Sequence, residues 1–148
     1  FKEFVKMVET LRPRFFVMEN VPGILTMRGG DAMKEIISSF AAIGYKVNAP
    51  LRLNAADYGV PQRRKRVIII GSLDHTVTIA QPEPLFSKEG DGLPRYVSVR
   101  DALESLPALE DGGGETEMDY TPEKSSAYDM LMRREIGFDE FYRMCRTR

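Results

Sequence analysis

The chain has 148 residues, 43% of them hydrophobic and 29% charged, which indicates one globular domain or a domain with an appendage. It contains no apolar run of the roughly 18 residues that a membrane helix needs, and it does not open with a secretory signal. Cys145 is the single cysteine and His75 the single histidine, which excludes an internal disulfide, a cysteine-based zinc site and a histidine cluster. Its net charge of -1 conceals a basic half, residues 1–80, and an acidic half, residues 81–148; the basic half suits an anionic partner, although charges that only solvate each half would give the same counts.

A helix, a strand and a second helix are predicted in residues 1–44. Apolar residues on one face of the first helix recur at helical spacing: Phe1, Phe4, Val5, Val8 and Leu11. Pro13 ends this helix, because the residue before a proline avoids the helical region. The short apolar run at residues 15–18 predicts a buried strand, and residues 20–23 predict a turn. We expect Asp31 to cap the second helix and Gly44 to end it in the left-handed conformation.

Two more strands are predicted before residue 80. Residues 46–54 alternate partly between apolar and polar, and residues 66–71 form a continuous Val/Ile run. Such a run is typical of a central strand with both faces buried under helices. The order helix, strand, helix, strand, strand therefore indicates part of an α/β sheet. Since three strands are too few for a covered parallel sheet, and the first residue is Phe1 rather than Met, we expect the chain to be an excerpt of a longer one.

The composition changes after residue 80, where prolines and glycines predict a linker or surface loop. A short helix is predicted at residues 98–106, with Ser98 as its cap. Residues 110–119 combine three glycines with acidic residues, so we expect a mobile loop. Two further helices are predicted from apolar residues at helical spacing: Tyr128, Leu131 and Met132 in one, and Phe138, Phe141, Tyr142 and Cys145 in the other.

Glu19 is the first candidate functional residue. It follows the predicted strand at residues 15–18, and ligands of open α/β sheets bind outside the carboxyl ends of the strands. A carboxyl group behind apolar residues can be partly desolvated, and burial favours the protonated form, which both donates and accepts hydrogen bonds. The alternative is that Glu19 is a solvated residue at a strand end.

The second candidate is the basic cluster at residues 62–66. If this segment enters the strand in extended form, Arg64 and Arg66 share one face, while Arg63 and Lys65 take the other. Two arginines on one face can hold phosphates or a base carbonyl. A solvated strand entry or a nuclear-localisation-like run would contain the same residues.

Together the two segments resemble the DNA cytosine-5 methyltransferase family. Residues 13–23, Pro-Arg-Phe-Phe-Val-Met-Glu-Asn-Val-Pro-Gly, resemble its Glu-Asn-Val motif. Residues 53–67, Leu-Asn-Ala-Ala-Asp-Tyr-Gly-Val-Pro-Gln-Arg-Arg-Lys-Arg-Val, resemble its Gln-x-Arg-x-Arg motif with the usual lead-in. The one helix and one strand between the motifs also fit. The resemblance is firm over residues 1–80 and loose over residues 81–148.

The resemblance implies a fold and a reaction. Residues 1–80 would form part of an α/β catalytic domain, the C-terminal half of a Rossmann-like fold that uses S-adenosylmethionine. Residues 81–148 would be a linker and helical segment leading toward the target-recognition region. In the family, a cysteine thiolate attacks C6 of a cytosine flipped out of double-stranded DNA, and C5 then takes the methyl group.

Individual roles follow from the matching positions of the two motifs. Glu19 would bond N3 and the 4-amino group of the cytosine, and Arg66 would meet its O2. Arg64 would support the flipped nucleotide and its backbone, and Arg63 would face solvent or phosphate. Asn20 is expected to hold the loop rather than to touch substrate.

The chain also departs from the family pattern. The family nucleophile belongs to a Pro-Cys loop upstream of the Glu-Asn-Val strand, and the glycine-rich cofactor loop is upstream as well. Cys145 has no preceding proline, and we expect it to be a small buried residue on a helix. We therefore assign no cofactor-binding residue, expect no metal, and expect the chain to be inactive without the rest of its parent.

The expected parent is a prokaryotic enzyme, cytoplasmic and nucleoid-associated, with a place in a restriction–modification system. Two alternatives stay open. One is the branch of the family that methylates a tRNA cytosine, and the other is a non-catalytic nucleic-acid-binding relative that kept these motifs.

Overall fold

A computed structural model of the protein describes residues 1–109, 111–118 and 125–147. These residues form two compact units, Phe1–Asn54 with Lys65–Glu83 and Ala55–Arg64 with Pro84–Arg148. The first unit contains α1 (Lys2–Leu11), β1 (Phe15–Asn20), α2 (Asp31–Ala42), β2 (Lys46–Val47), β3 (Leu51–Asn54) and β4 (Lys65–Ser72). The second contains α3 (Val99–Leu103), α4 (Ala127–Met132) and α5 (Phe138–Arg146). None of the helices in these ranges has the length and apolar character that a membrane crossing requires.

The sheet of the first unit is built around β4. β1 pairs with β4 along its whole length, from Phe15↔Ser72 to Asn20↔Val67, and β2 and β3 pair with the other edge of β4. All three pairings are antiparallel, so the parallel sheet expected from the order of elements is wrong for these strands. For β3 and β4 the reason is local, because the short connection between them contains no crossover helix, and such a connection joins antiparallel neighbours.

A bulge divides the strand predicted at residues 46–54. Val47 pairs with Gly71 and Leu51 pairs with Ile68, so three residues on this edge stand opposite two on β4. An extra residue of this kind bends a strand and increases its twist. The prediction of a strand is confirmed on both sides of the interruption.

Aromatic packing fixes β1 against β4 on the face that carries the core. The ring of Phe16, only 4% exposed, stacks on Phe40 with 4.0 Å between centroids and meets Phe4 and Tyr45 edge to face. Phe16 lies directly opposite Gly71, where an added Cβ would come within 2.1 Å of the ring. Glycine in the middle of β4 is therefore required by the close approach of this ring.

Two predictions about burial in the sheet are wrong. Phe15 and Val17 of β1 are 44% and 60% exposed, and Ile68 and Ile70 of β4 are only half-buried. Within the first unit the core cluster contains Val8 of α1 and Phe40 of α2 with Phe16, Val67 and Ile69, the side chains that alternate onto one face. The opposite face has no such helix among the elements of this unit.

The ends of α1 and α2 agree with the sequence in two places and differ in one. Arg12, with φ of 49°, ends α1 just before Pro13, and Gly44, with φ of 88°, follows α2 in the predicted left-handed conformation. Asp31 does not cap α2, because Gly30 occupies the cap position and Asp31 starts the first turn, where it pairs with Lys34 at 2.9 Å.

The second unit has its own apolar cluster, formed by Phe86, Val97, Ala127 and Phe141. Ser98 caps α3 as predicted, in a capping box with Asp101, although α3 ends at Leu103. α5 packs Phe141, Tyr142 and Cys145 of the predicted stripe against this cluster, whereas Phe138 is 42% exposed. In α4, Met132 is exposed rather than buried, because the helix ends there.

Residues 111–118 are all exposed, and the predicted mobility of the loop at residues 110–119 stays a prediction, with its two end residues outside the described ranges.

Candidate functional site

Glu19 and Arg66 meet on the open face of the sheet. Glu19 lies opposite Ile68 in the β1–β4 register, and Arg66 is two residues from Ile68 on the same strand. The two side chains are therefore diagonal neighbours on one face, a position from which long side chains can touch. Oε1 of Glu19 contacts Nε of Arg66 in an ion pair. The sequence predicted both residues as candidates, and the antiparallel register brings them together.

The Glu19–Arg66 pair is accessible to a ligand. The Glu19 side chain is 52% exposed and the Arg66 side chain 22% exposed, so the carboxylate is not desolvated in the way that the sequence suggested. Glu19 lies within β1 on the same face as the exposed Phe15 and Val17, and this explains its exposure. Partly exposed ion pairs contribute only about 0–1 kcal/mol to stability, so a ligand can compete for these groups at low cost.

The pair leaves hydrogen-bonding groups available for recognition. Nη1 of Arg66 donates to the carbonyl of Lys65 at 2.8 Å, and Nε is engaged with Glu19. Within the described ranges, Oε2 of Glu19 and Nη2 of Arg66 have no hydrogen-bond partner. An acceptor and a charged donor thus lie side by side, which suits a planar ligand that presents an N–H group next to a carbonyl.

Arg63 and Arg64 precede β4 and belong to the second unit. Both side chains are exposed, and the carbonyl of Arg64 accepts from the N–H of Ala55 at 3.0 Å. Because β4 begins at Lys65, the alternation of faces predicted for residues 63–66 applies to Lys65 and Arg66 alone. The predicted sharing of a face by Arg64 and Arg66 therefore has no strand to support it.

Asn20 closes the turn that follows β1. Its Oδ1 accepts from the N–H of Val21 at 2.8 Å, and the short helical turn Pro22–Leu25 begins next, with Ile24 buried. This geometry agrees with the expectation that Asn20 holds the loop, and the expectation that it does not touch substrate stays a prediction.

Cys145 lies on α5, half-buried, and packs against the apolar cluster of the second unit. The position on a helix and the apolar neighbours were expected from the sequence, but the burial is only partial rather than complete. In the ranges that the structure describes, no three His, Cys, Asp or Glu side chains are grouped closely enough to hold a metal ion.

One feature of the second unit was not predicted. Arg63, Lys88 and Arg95 line a common cavity of about 460 Å³. Lys88 and Arg95 are isolated cations in an acidic stretch of sequence, so neither composition nor spacing gave a signal for them.

Comparison with known proteins gives a consistent result over most of the chain. Residues 1–141 match the family described as C-5 cytosine-specific DNA methylase. The chain is 43% identical over 112 residues to the type II methyltransferase M1.HphI of Haemophilus parahaemolyticus, covering 76% of this chain. It is 38% identical over 142 residues to the type II methyltransferase M.DdeI of Desulfomicrobium norvegicum, covering 90% of this chain.

A solved structure is also similar. It is a crystal structure described as a DNA modification methyltransferase encoded within a prophage, from E. coli, with 27% identity and a TM-score of 0.58 over 86% of this chain. The chain spans 28% of M1.HphI, 32% of M.DdeI and 37% of the E. coli chain. It thus corresponds to about a third of the length of these relatives.

Proposed function

The chain belongs to the C-5 cytosine-specific DNA methylase family, and we propose that it supplies the base-recognition part of a DNA cytosine-5 methyltransferase. The observation that carries this proposal is the Glu19–Arg66 pair, with a free carboxylate oxygen and a free guanidinium nitrogen on an accessible face. Both residues stand in segments that resemble the Glu-Asn-Val and Gln-x-Arg-x-Arg motifs, within the residues 1–141 that match the family.

The pair suits the hydrogen-bonding edge of a cytosine. Glu19 accepts from the 4-amino group and, when protonated, donates to N3, while Arg66 donates to O2. A nucleophile that adds to C6 places negative charge on the ring, and these bonds become stronger as that charge develops. Glu19 and Arg66 therefore favour the addition step, and the base reaches them only after it has left the stack.

Arg64 has a supporting role in this proposal. It is exposed and adjacent in sequence to the strand that carries Arg66, and it binds the backbone of the flipped nucleotide. A guanidinium group suits a phosphate oxygen, because its planar donors match two acceptor oxygens.

S-adenosylmethionine supplies the methyl group in this family. The neighbours of Glu19 on β1, among them the exposed Val17, form an open surface rather than the enclosed pocket that an adenosyl group requires. This face does not fit a cofactor pocket, so we assign none of its residues to the cofactor and derive no step through it.

The nucleophile is a second requirement that these residues do not meet. Cys145 is the only cysteine in the sequence, it lacks the preceding proline of the family loop, and it packs into the apolar cluster of the second unit. We therefore place the nucleophile and the cofactor loop in other parts of the natural protein, and the 148-residue chain alone should not transfer a methyl group.

The relatives also support a setting for the natural protein. They are type II methyltransferases, so we place it in a prokaryotic restriction–modification system, acting on double-stranded DNA in the cytoplasm, at the nucleoid.

Single-turnover methylation of duplex DNA by the natural protein that carries this chain tests the site. Glu19→Gln keeps the size of the side chain but removes the charge, and should lower the rate by ~10²–10³, as loss of one charge-stabilising contact does. Arg66→Ala should cost a similar factor, because its bond to the carbonyl oxygen is charge-assisted. Arg64→Ala should weaken DNA binding as well as turnover. Arg63→Ala should change mainly the salt dependence.

Matched controls keep this test interpretable. Glu9→Gln removes the same charge from an exposed position on α1, and Arg66→Lys keeps the charge but loses the planar fork. Equal rates for Glu19→Gln and Glu9→Gln, with both proteins folded by thermal unfolding, would refute the assignment of Glu19. Methylation of tRNA instead of DNA would favour the RNA branch, and binding without methylation would favour a non-catalytic relative. The 148-residue chain in the same assay should give the signal of the blank.

A further inference from the structure

The proposed base-recognition chemistry leaves unused the cationic cavity of the second unit. The cavity of about 460 Å³ is lined by ten residues, which include Arg63, Lys88 and Arg95 and contain no Asp or Glu. Gln62 and Ser98 add polar side chains to the wall. The wall therefore combines three positive charges with the side-chain amide of Gln62, whereas the Ser98 hydroxyl already donates to Asp101 at 2.7 Å. Three positive charges in one wall suit an anion.

This concentration of charge runs against its surroundings. Residues 81–148 contain nine Lys and Arg against fifteen Asp and Glu, yet two of those nine cations line one cavity with Arg63. Among the described residues, Arg63 and Arg95 form no ion pair, and Lys88 pairs only with its neighbour Glu89, in an exposed contact of 2.7 Å. Because exposed pairs are weak, all three cations are available to a ligand.

Backbone hydrogen bonds order the main chain that carries Lys88 and Arg95. Ser87 pairs with Arg95 in a bridge, with the N–H of Ser87 bonded to the carbonyl of Pro94 and the N–H of Tyr96 bonded to the carbonyl of Ser87. This bridge presents Lys88 and Arg95 from two paired segments. The hydroxyl of Tyr96 donates to Asp57 at 2.5 Å, which ties the bridge to the segment that carries Arg63. Such preorganisation lowers the entropic cost of binding.

We propose that this cavity binds a phosphate of the nucleic-acid backbone, with Arg63 and Arg95 as the principal ligands and Lys88 as a third charge. The proposal rests on the proposed function, since the phosphate belongs to the DNA substrate. Arginine suits this role because its fork of N–H donors matches two phosphate oxygens. A free phosphate ion has the same chemistry, but Arg63 is adjacent in sequence to Arg64, which the proposed function assigns to the nucleotide backbone.

The salt dependence of DNA binding by the natural protein tests this proposal. Each backbone phosphate contact that is lost should reduce the slope of log K against log salt by ~0.9. The double variant Arg63→Ala/Arg95→Ala should therefore bind a fluorescent duplex with a slope smaller by roughly 1–2. Its loss of affinity should be the same for target and non-target duplexes, because phosphate contacts carry no sequence information.

Two matched variants isolate the cavity from general charge. Arg146→Ala removes an exposed cation of the same unit that does not line the cavity, and its slope should stay closer to that of the unaltered protein. Arg63→Lys/Arg95→Lys retains both charges and should keep most of the slope. Thermal unfolding of all variants checks that they are folded.

An unchanged slope in the double alanine variant overturns the proposal, and so does an equal reduction in Arg146→Ala. If inorganic phosphate raises the melting temperature of the unaltered protein, but not of the double variant, while the DNA slope is unchanged, the cavity takes free phosphate and the proposal fails. Failure of the proposed function is seen in methylation rather than in the slope, since the unaltered protein would then not methylate duplex DNA, whatever the slope of the double variant.

Discussion

Replacing Gly71 by alanine tests the packing that sets the register of β1 and β4. The new Cβ would lie 2.1 Å from Cε1 and 2.4 Å from Cζ of Phe16, whereas ordinary contacts are 3.4–4 Å, so the ring would have to retreat by about 1.3 Å. Phe16 is held by its stack on Phe40 at 4.0 Å and cannot retreat freely.

The expected cost follows from two opposing effects. Overpacking of a filled core typically destabilises by ~1–3 kcal/mol. Alanine also restricts the unfolded chain, which returns ~0.4–1 kcal/mol. We therefore expect Gly71→Ala to lower the free energy of unfolding by about 1–2 kcal/mol, measured by urea unfolding followed by circular dichroism.

Two further variants check the cause. Gly23→Ala adds a methyl group where nothing lies within 4 Å, so its stability should be unchanged or slightly higher. In a Phe16→Leu background, Gly71→Ala should cost less, because the ring atoms that it meets are absent. Equal stability of Gly71→Ala and Gly23→Ala would refute the reasoning, since Phe16 would then not occupy the space above Gly71.

The remaining predictions concern one glycine and one carboxylate. Gly59→Ala should lower the free energy of unfolding by about 2 kcal/mol or more, because φ is +84° and the new Cβ would lie 2.8 Å from the Phe86 ring. Gly92 has a φ of +83° and nothing within 4 Å of an added Cβ, so Gly92→Ala measures the cost of the backbone conformation alone. If both variants lost the same free energy of unfolding, a clash with the Phe86 ring would be excluded. The hydrogen bond from Arg28 holds the pKa of Glu35 below its ordinary value. This hydrogen bond therefore stabilises the folded chain fully when the pH is above the ordinary pKa, and the stabilisation is lost as the pH falls through the lowered pKa. NMR titration should show the pKa of Glu35 rising in Arg28→Ala, and an unchanged value would contradict this cause.

The sequence was sufficient to locate the main elements of the first unit and the candidate residues in them. Pro13 and Gly44 mark helix ends through constraints that act within a few residues. Glu19 and Arg66 were recognisable because each stands in a motif that is contiguous in the chain.

Only the tertiary structure decided which faces are covered and what meets across the strands. The apolar runs of β1 and β4 suggested burial on both sides, but strand pairing and the positions of α1 and α2 decide which alternate side chains reach the core, and Phe15 and Val17 do not. Glu19 and Arg66 have 46 residues between them in the sequence, and Arg63, Lys88 and Arg95 line one cavity only because the second unit is folded. Local constraints are written in consecutive residues, whereas register, strand direction and burial depend on segments distant in sequence, so only their packing in three dimensions determines them.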